Sequence, residues 1–333
     1  MARVVFMGTP DFAAGILKAL TGAGHEVIAA FTQPDRPKGR KGRLQMPPVK
    51  ELALSLGIAV YQPERIRTPE NVQLIASLRP DFIVAAAFGQ IIPQSILDIP
   101  PYGCLNVHAS LLPKWRGAAP IQWSILEGDE VTGVTIMRMN AGLDTGDMIL
   151  KKEVPVREDE TGDSLFLALM EAGAGLLPEA MEQILNGCAV YTPQPEESPT
   201  PYAKMLTRQS GLIDWSQGAD RICRMVRAFD SWPGTFSFLN GKMLKILKAE
   251  EVPRSPGTQD AQNCRLAKDD LLPPSDCEAG TVVEASRERL TVQTGRGLVR
   301  ILEVQPEGKK RMEAGAFLRG YPVQAKDAFR SER

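Results

Sequence analysis

The sequence predicts an α/β fold: an open, mostly parallel, doubly wound sheet followed by a small carboxyl-terminal β-barrel. Three observations predict it. Through residue 187, short β-rich apolar runs alternate with segments whose apolar residues recur at helical spacing. The stretch "YTPQPEESPTP" (191–201) then places four prolines in eleven residues. Beyond it, one helical pattern is followed by β-like runs with turn residues between them. Alternation implies parallel strands with helices on both faces, a Rossmann-like layout. Clustered short strands imply a barrel, here OB-like. The expected domains are 1–190, a proline-rich linker at 191–207 and a barrel at 208–320.

Along the chain, "RVVFM" (3–7), "EVIAAF" (26–31), "DFIVAAA" (81–87), "GCLNVH" (103–108) and "VTIMRM" (134–139) read as strands. "FIVAAA" is apolar without alternation, as a parallel strand buried on both faces should be. Helical spacing marks "DFAAGILKAL", "PPVKELALSL", "PENVQLIASL" and "APIQWSILEG". Asp11 is expected to cap the first of these, and Thr68 the third, with Pro69 at the favoured first position. Residues 161–187 read as a long helix capped by Thr161 or Asp163 and stopped at Gly187. The prolines after it fix φ and remove donors, which makes an extended, stiff connector. In the second domain "ADRICRMVRAF" is the helix, and Asn240-Gly241 signals a hairpin within "GTFSFLNGKMLKILKA". Residues 252–277, rich in Pro, Ser and Asp, read as a surface insertion.

At 333 residues the chain has room for two domains of about 150 residues each. Its 43% hydrophobic and 24% charged residues are enough for each to bury a core. No apolar run approaches the ~20 residues of a membrane span, so no membrane partner is expected. "MARVVFMGTPDF" lacks the pattern of a signal peptide. Cys104, Cys188, Cys223, Cys264 and Cys277 form no C-x-x-C pair and no cluster with His. That argues against zinc or a disulfide framework and suits a reducing cytoplasm. Two sizeable domains make a monomer adequate. The net charge of −1 hides an asymmetry: residues 1–200 carry 17 basic and 23 acidic side chains, and residues 201–333 carry 22 and 17. The basic second part hints at a polyanionic partner.

Two motifs mislead. Gly8 and Gly15 follow the first strand without forming G-x-G-x-x-G or a P-loop, and Gly8 reads as a tight-turn residue. "LDTGD" (143–147) contains an aspartic-protease tripeptide, but that chemistry needs two copies and the chain has one. Of the two histidines, His25 lies in an expected loop. The other, His108, sits two residues after Asn106 at the carboxyl end of a strand, where open α/β sheets place their sites. Residues two apart on a strand project from one face. An amide N–H and an imidazole N–H aimed at one point suit an oxygen that gains negative charge. A carboxylate should complete the set. Asp144, in a loop that Gly142 and Gly146 allow to approach closely, is the better candidate, and Asp147 the rival. With no Ser or Cys nucleophile evident nearby, the three suit acyl transfer by direct attack of an amine.

"NVHASLLPKWRGAAPIQW" together with "LDTGDM" strongly resembles the formyltransferases that use 10-formyltetrahydrofolate. Their shared Asn-x-His-x-Ser-Leu-Leu-Pro pattern, with an Asp some 36 residues past the His, is met by Asn106, His108, Ser110, Leu111, Leu112, Pro113 and Asp144. The resemblance implies that Asn106, His108 and Asp144 are catalytic and that Ser110–Pro113 contribute to the folate site. It also implies that "AAFGQIIP" (86–93), with Phe88, Gly89, Gln90 and Ile91, lines the pteridine pocket, and that 10-formyltetrahydrofolate is the co-substrate with no metal.

Within that group, "QPDRPKGRKGRLQMPPVK" (33–50) resembles the inserted loop of the methionyl-tRNA formyltransferases, which meets the acceptor end of the tRNA. Arg36, Lys38, Arg40, Lys41 and Arg43 make it a phosphate-seeking arm, with Gly39 and Gly42 lending mobility. "DWSQGADRICRMVRAFDSWPGTF" is similar to the same family's carboxyl-terminal domain. On its helix Arg221, Arg224 and Arg227 share one arc, opposite Ile222, Met225, Val226 and Phe229, and are expected to stand free to meet phosphates. The implied partner is initiator tRNA charged with methionine. The alternatives are a nucleotide-sugar formyltransferase, a 10-formyltetrahydrofolate hydrolase and a non-catalytic RNA-binding module. The last would gain nothing from Asn106 and His108 at one strand end.

Overall fold

Apolar runs near the start of the chain become the middle of a sheet because they are buried on both sides. The computed structural model describes residues 1–38, 43–252 and 277–332. Arg40, Lys41 and the two glycines beside them lie outside the described residues, as does the insertion apart from its ends. The elements are β1 (Arg3–Gly8), α1 (Asp11–Gly22), β2 (Glu26–Phe31), β3 (Arg36–Lys38), β4 (Arg43–Gln45), α2 (Pro48–Ser55), β5 (Ala59–Tyr61) and α3 (Pro69–Leu78). They continue with β6 (Phe82–Ala86), α4 (Gln94–Leu97), β7 (Cys104–His108), α5 (Pro120–Glu127), β8 (Val131–Arg138), β9 (Met148–Pro155) and α6 (Gly162–Leu185). The sheet order is β5-β2-β1-β6-β7-β8-β9. The first five of these strands run parallel, while β8 and β9 add as an antiparallel pair.

Two compact units result. Met1–Ser124, Asp129–Glu158 and Ser164–Met205 form the first; Ile125–Gly128, Asp159–Asp163 and the chain from Leu206 onward form the second. In the first, β6 is buried at all of its positions, which its unbroken apolar sequence requires. Close packing of α6 on the sheet depends on Gly173, where an added Cβ would stand 2.8 Å from Val107 Cγ1. α6 is long and apolar enough to cross a membrane. Its Leu165, Leu169, Leu177 and Met181 are nonetheless fully buried, as in a core helix.

Local details differ from expectation. α1 begins at Asp11 itself, with Pro10 as the capping residue, so Asp11 acts on the helix N-terminus by charge. Thr68 holds the cap position of α3, followed by Pro69, but its hydroxyl accepts from the Asn71 side chain. β5 and β9 escape the sequence reading because they are edge strands. β9 exposes most of "LKKEVP", which gives it no apolar signature.

The second unit holds α7 (Ala219–Ala228), β10 (Thr235–Leu239), β11 (Lys242–Glu251), β12 (Val282–Ala285), β13 (Leu290–Gln293) and β14 (Leu298–Pro306). β15 (Met312–Glu313), α8 (Ala314–Gly320) and β16 (Phe329–Arg330) complete it. Its antiparallel order is β12-β13-β14-β11-β10-β16. A bridge between Thr281 and Ala328, flanked by the Val282 N–H to Asp327 O bond at 2.7 Å, ties the two edge strands and closes the barrel. Asn240 and Gly241 both take positive φ, 50° and 72°, the conformation of a type I′ hairpin turn. Ile222, Cys223 and Val226 of α7 pack into the barrel core with Trp215, Ile246 and Phe329.

Candidate active site

Asn106 and His108 lie on β7, the last parallel strand. Asn106 sits between Ala85 of β6 and Met137 of β8, and His108 lies opposite Thr135. The one-residue gap sends both side chains to one face. From the β8–β9 connection Asp144 meets them. Asn106 Nδ2 donates to Asp144 Oδ1 at 3.3 Å, and His108 Nδ1 stands 3.7 Å from Asp144 Oδ2. Gly117 N–H donates to the same Oδ2 at 2.9 Å. Asp147 does not take this place; its carbonyl accepts the Arg138 N–H at 2.8 Å and closes the loop.

His108 is buried, and its Nε2 lies 3.0 Å from Trp115 O. A carbonyl only accepts, so Nε2 carries a proton. That leaves Nδ1 as the nitrogen that faces Asp144. Asn106 commits one of its two amide hydrogens to Asp144. Cys104 shares this strand, but burial pushes its thiol up to about 12, which removes it as a nucleophile at neutral pH. Among the described residues no group of His, Cys, Asp and Glu is arranged to hold a metal.

The loop after β7 is pinned at several points. Thr135 Oγ donates to Ser110 O at 2.7 Å and accepts from Leu112 N–H at 3.0 Å. Lys151 donates to Leu112 O, and Ser198 Oγ donates to Pro113 O at 2.8 Å. Ser110 and Leu112 are buried and Leu111 and Pro113 half-buried. In the other folate-implied loop, Phe88 is buried, whereas Ile91 is 83% exposed. Gln90 ties this loop to Pro63 O and Ile66 N–H at 3.0 and 2.7 Å. Gly89 takes φ 81°. Phe88 O accepts from Thr9 and from Gln33, both at 3.2 Å.

The described ends of the basic arm pair as two short antiparallel strands, with Arg36 opposite Gln45 and Lys38 opposite Arg43. Arg36 is exposed. At the arm's root Asp35 pairs with Lys50 at 2.8 Å. Hydrogen bonds from Lys50 and Gln62 hold the Asp35 carboxyl below its usual range. The α7 arginines, in contrast, do not stand free. Arg221 makes a two-pronged pair with Glu127 at 2.7 and 2.8 Å. Arg224 bonds Leu126 O and Asp220, and Arg227 bonds Glu160 O. Asp220 is an i,i+4 neighbour of Arg224, but Glu127, Leu126 O and Glu160 O are distant in sequence, and helical spacing could not foretell them.

Sequence reasoning missed Arg116, Gly117 and Gln194. Arg116 is only 2% exposed. It donates from Nε to Gln194 Oε1 at 3.0 Å, and to Glu196 O and Pro195 O at 3.1 and 2.7 Å. Gln194 Nε2 donates to Asp144 O at 2.9 Å and Gly146 O at 2.7 Å. Gly117 has φ 122°, and an added Cβ would lie 2.7 Å from Ala203 O. The only local signal was a Gln inside the proline-rich connector, which itself lies in the first unit.

Residues 2–181 match the formyl transferase family model and residues 205–322 match that of the formyl transferase C-terminal domain. The chain is 48% identical to the methionyl-tRNA formyltransferase of Agathobacter rectalis, covering 97% of both chains. It is 47% identical to that of Geotalea daltonii, covering 96% of each. A sugar 3N-formyl transferase crystallised in the presence of dTDP and 5-N-formyl-THF shares the fold: TM-score 0.62 at 18% identity, covering 93% of this chain and 99% of that one. With both family models matched in order and identity near one half over almost its whole length, the chain belongs to the methionyl-tRNA formyltransferase family.

Proposed function

We propose that the protein transfers the formyl group of 10-formyltetrahydrofolate to the α-amino group of methionyl initiator tRNA. The products are N-formylmethionyl-tRNA and tetrahydrofolate, for translation initiation. The observation that carries the reading is the convergence of Asn106, His108 and Asp144 at one strand end, in a chain of this family. α-Amino groups titrate at about 7.7–8.0 in peptides, and an adjacent ester lowers that. The acceptor is therefore largely neutral at cell pH and attacks the formyl carbon directly. Asn106 and the protonated imidazole of His108, which then carries a hydrogen on Nδ1 as well as on Nε2, stabilise the oxyanion as the carbonyl becomes tetrahedral. Asp144 takes up the amine proton, directly or through water. Collapse then breaks the bond between the formyl carbon and the folate nitrogen, which leaves with a proton.

Ser110–Pro113 and Phe88–Ile91 hold the folate in this reading, and the exposed Ile91 side chain offers an apolar surface for a flat ring. Arg36, Lys38, Arg40, Lys41 and Arg43 meet the acceptor end of the tRNA. The barrel at 208–320 adds contacts in which Arg221, Arg224 and Arg227 would exchange protein partners for phosphates. The enzyme acts as a monomer in the cytoplasm, away from membranes. The test is transfer of labelled formyl to initiator tRNA charged with methionine, run beside elongator tRNA carrying the same amino acid. Transfer to the initiator alone is expected. Formate release without an acceptor, or transfer only to an amino sugar, would defeat the reading.

A further inference from the structure

We infer that Gln194 is a positioning residue for Asp144, reaching the reaction from the proline-rich segment that precedes the barrel. The inference rests on the role proposed above for Asp144. Four links form a closed ring. The Asp144 carboxylate accepts from Gly117 N–H at 2.9 Å. Arg116, the preceding residue, donates to Gln194 Oε1 at 3.0 Å. Gln194 Nε2 in turn donates to Asp144 O at 2.9 Å and to Gly146 O at 2.7 Å. One side-chain amide thus fastens the backbone of the Asp144 loop to the segment whose N–H holds the Asp144 carboxylate.

The ring has work to do because Asp144 takes φ 53°, a left-handed conformation that a non-glycine residue keeps only where its surroundings over-determine it. Gln194 supplies that determination with both donors of its amide, and among the described residues no other side chain bonds the Asp144 carbonyl. Arg116 keeps the amide from rotating. It is buried and bonded to three acceptors on residues 194–196, so its Nε faces Gln194 Oε1 and directs the NH₂ group at the loop. A Gln in that orientation offers an acceptor to the cation and two donors to the carbonyls, a match no other amino acid of that length makes.

The experiment uses the full chain and measures kcat and both KM values for the parent, Gln194→Met, Asp144→Asn and the double variant. Gln194→Met preserves length and removes the hydrogen bonds. Its expected kcat is about 10- to 100-fold lower, the scale for loss of a partner that orients a reacting group. KM for each substrate should stay within about two-fold, since no binding surface is touched. In the Asp144→Asn background the same change should cost less than about two-fold more, because residues acting as a unit are not additive. Parental kcat in Gln194→Met overturns the inference, as does an equal loss in both backgrounds, the mark of a merely structural role. Parental turnover in Asp144→Asn would remove the proposed role of Asp144 first, and this inference with it. Should Gln194→Met fail to fold, Gln194→Glu keeps the Arg116 contact and loses both donors. It must show the same loss of kcat, and parental turnover in it overturns the inference equally.

Discussion

Asn106 is held by a strand on both sides and by Asp144 at its tip, so its remaining amide hydrogen is aimed before any substrate arrives. Pre-aimed donors of this kind are worth the most in catalysis, because no reorganisation accompanies the charge that develops. Asn106→Ala is therefore expected to lower kcat by about 10²–10³ while the protein keeps its thermal midpoint. His108→Ala should lose at least as much in the same assay, since it removes the second donor, Nδ1, which also faces Asp144. Gly117 makes a different demand. With φ 122° and the Ala203 carbonyl 2.7 Å from where a Cβ would sit, Gly117→Ala must shift the N–H that holds Asp144. Its expected cost is on the order of 1–3 kcal/mol of stability, read as a lower Tm, together with a loss of kcat of about ten-fold or more. Asn106 and His108 were legible as residues because their chemistry is rare and their spacing short, and Asp144 because glycines flank it in a loop that follows a strand. Gly117, Arg116 and Gln194 were not, since their roles arise from pairings across 27 to 78 positions.

Among the secondary-structure elements, legibility followed burial. β6 announces itself because both faces are covered and the sequence is apolar throughout, and β1 and β7 because most of their positions are buried and apolar. β9 and the two-residue β15 and β16 carry no period that a sequence can show. α7 illustrates the limit for helices. Its apolar arc was read correctly, but the polar arc was assigned to solvent when it belongs largely to Glu127, Asp220 and nearby carbonyls. The hydrogen bond from Arg221 lowers the Glu127 carboxyl below its usual range. A carboxyl depressed in the folded state contributes stability that is present above its unfolded value and lost as pH falls through the folded one. Glu127→Gln should accordingly lower stability at pH 7 by up to about 1 kcal/mol, discounted because both side chains are about one-third exposed. The gap between variant and parent should close in acid, below the ordinary carboxylate range. Urea midpoints measured across pH test this; a gap that persists undiminished in acid would show that packing, not charge, holds the helix.

For the molecule taken whole, the charge asymmetry between residues 1–200 and 201–333 pointed to the second part as the polyanion-binding part. The structure redistributes that expectation. Of the arginines on α7, Arg221 and Arg224 pair with carboxylates and Arg227 bonds a carbonyl, so a phosphate that recruits them must first displace a protein partner. The arm sets five basic residues within the overall acidic part of the chain, and its root is firmly built. Lys50 and Gln62 hold Asp35, Gln62 bonds Gln33 O at 2.9 Å, and Gln33 bonds Phe88 O. A charge mounted on a fixed base loses less freedom when it meets a phosphate, so the arm should carry more of the salt-dependent affinity than α7 does. Neutralising Arg40, Lys41 and Arg43 together is expected to flatten the slope of log K for tRNA against log salt by about 2–3, near the 0.7–0.9 per contact that counterion release gives. KM for the folate should not change. Replacing Arg221, Arg224 and Arg227 by Gln should flatten that slope by less than half as much, and should instead appear as lost thermal stability. Titrations of the two triple variants at four salt concentrations separate these outcomes, and an equal or steeper effect from α7 would reverse the assignment of the arm.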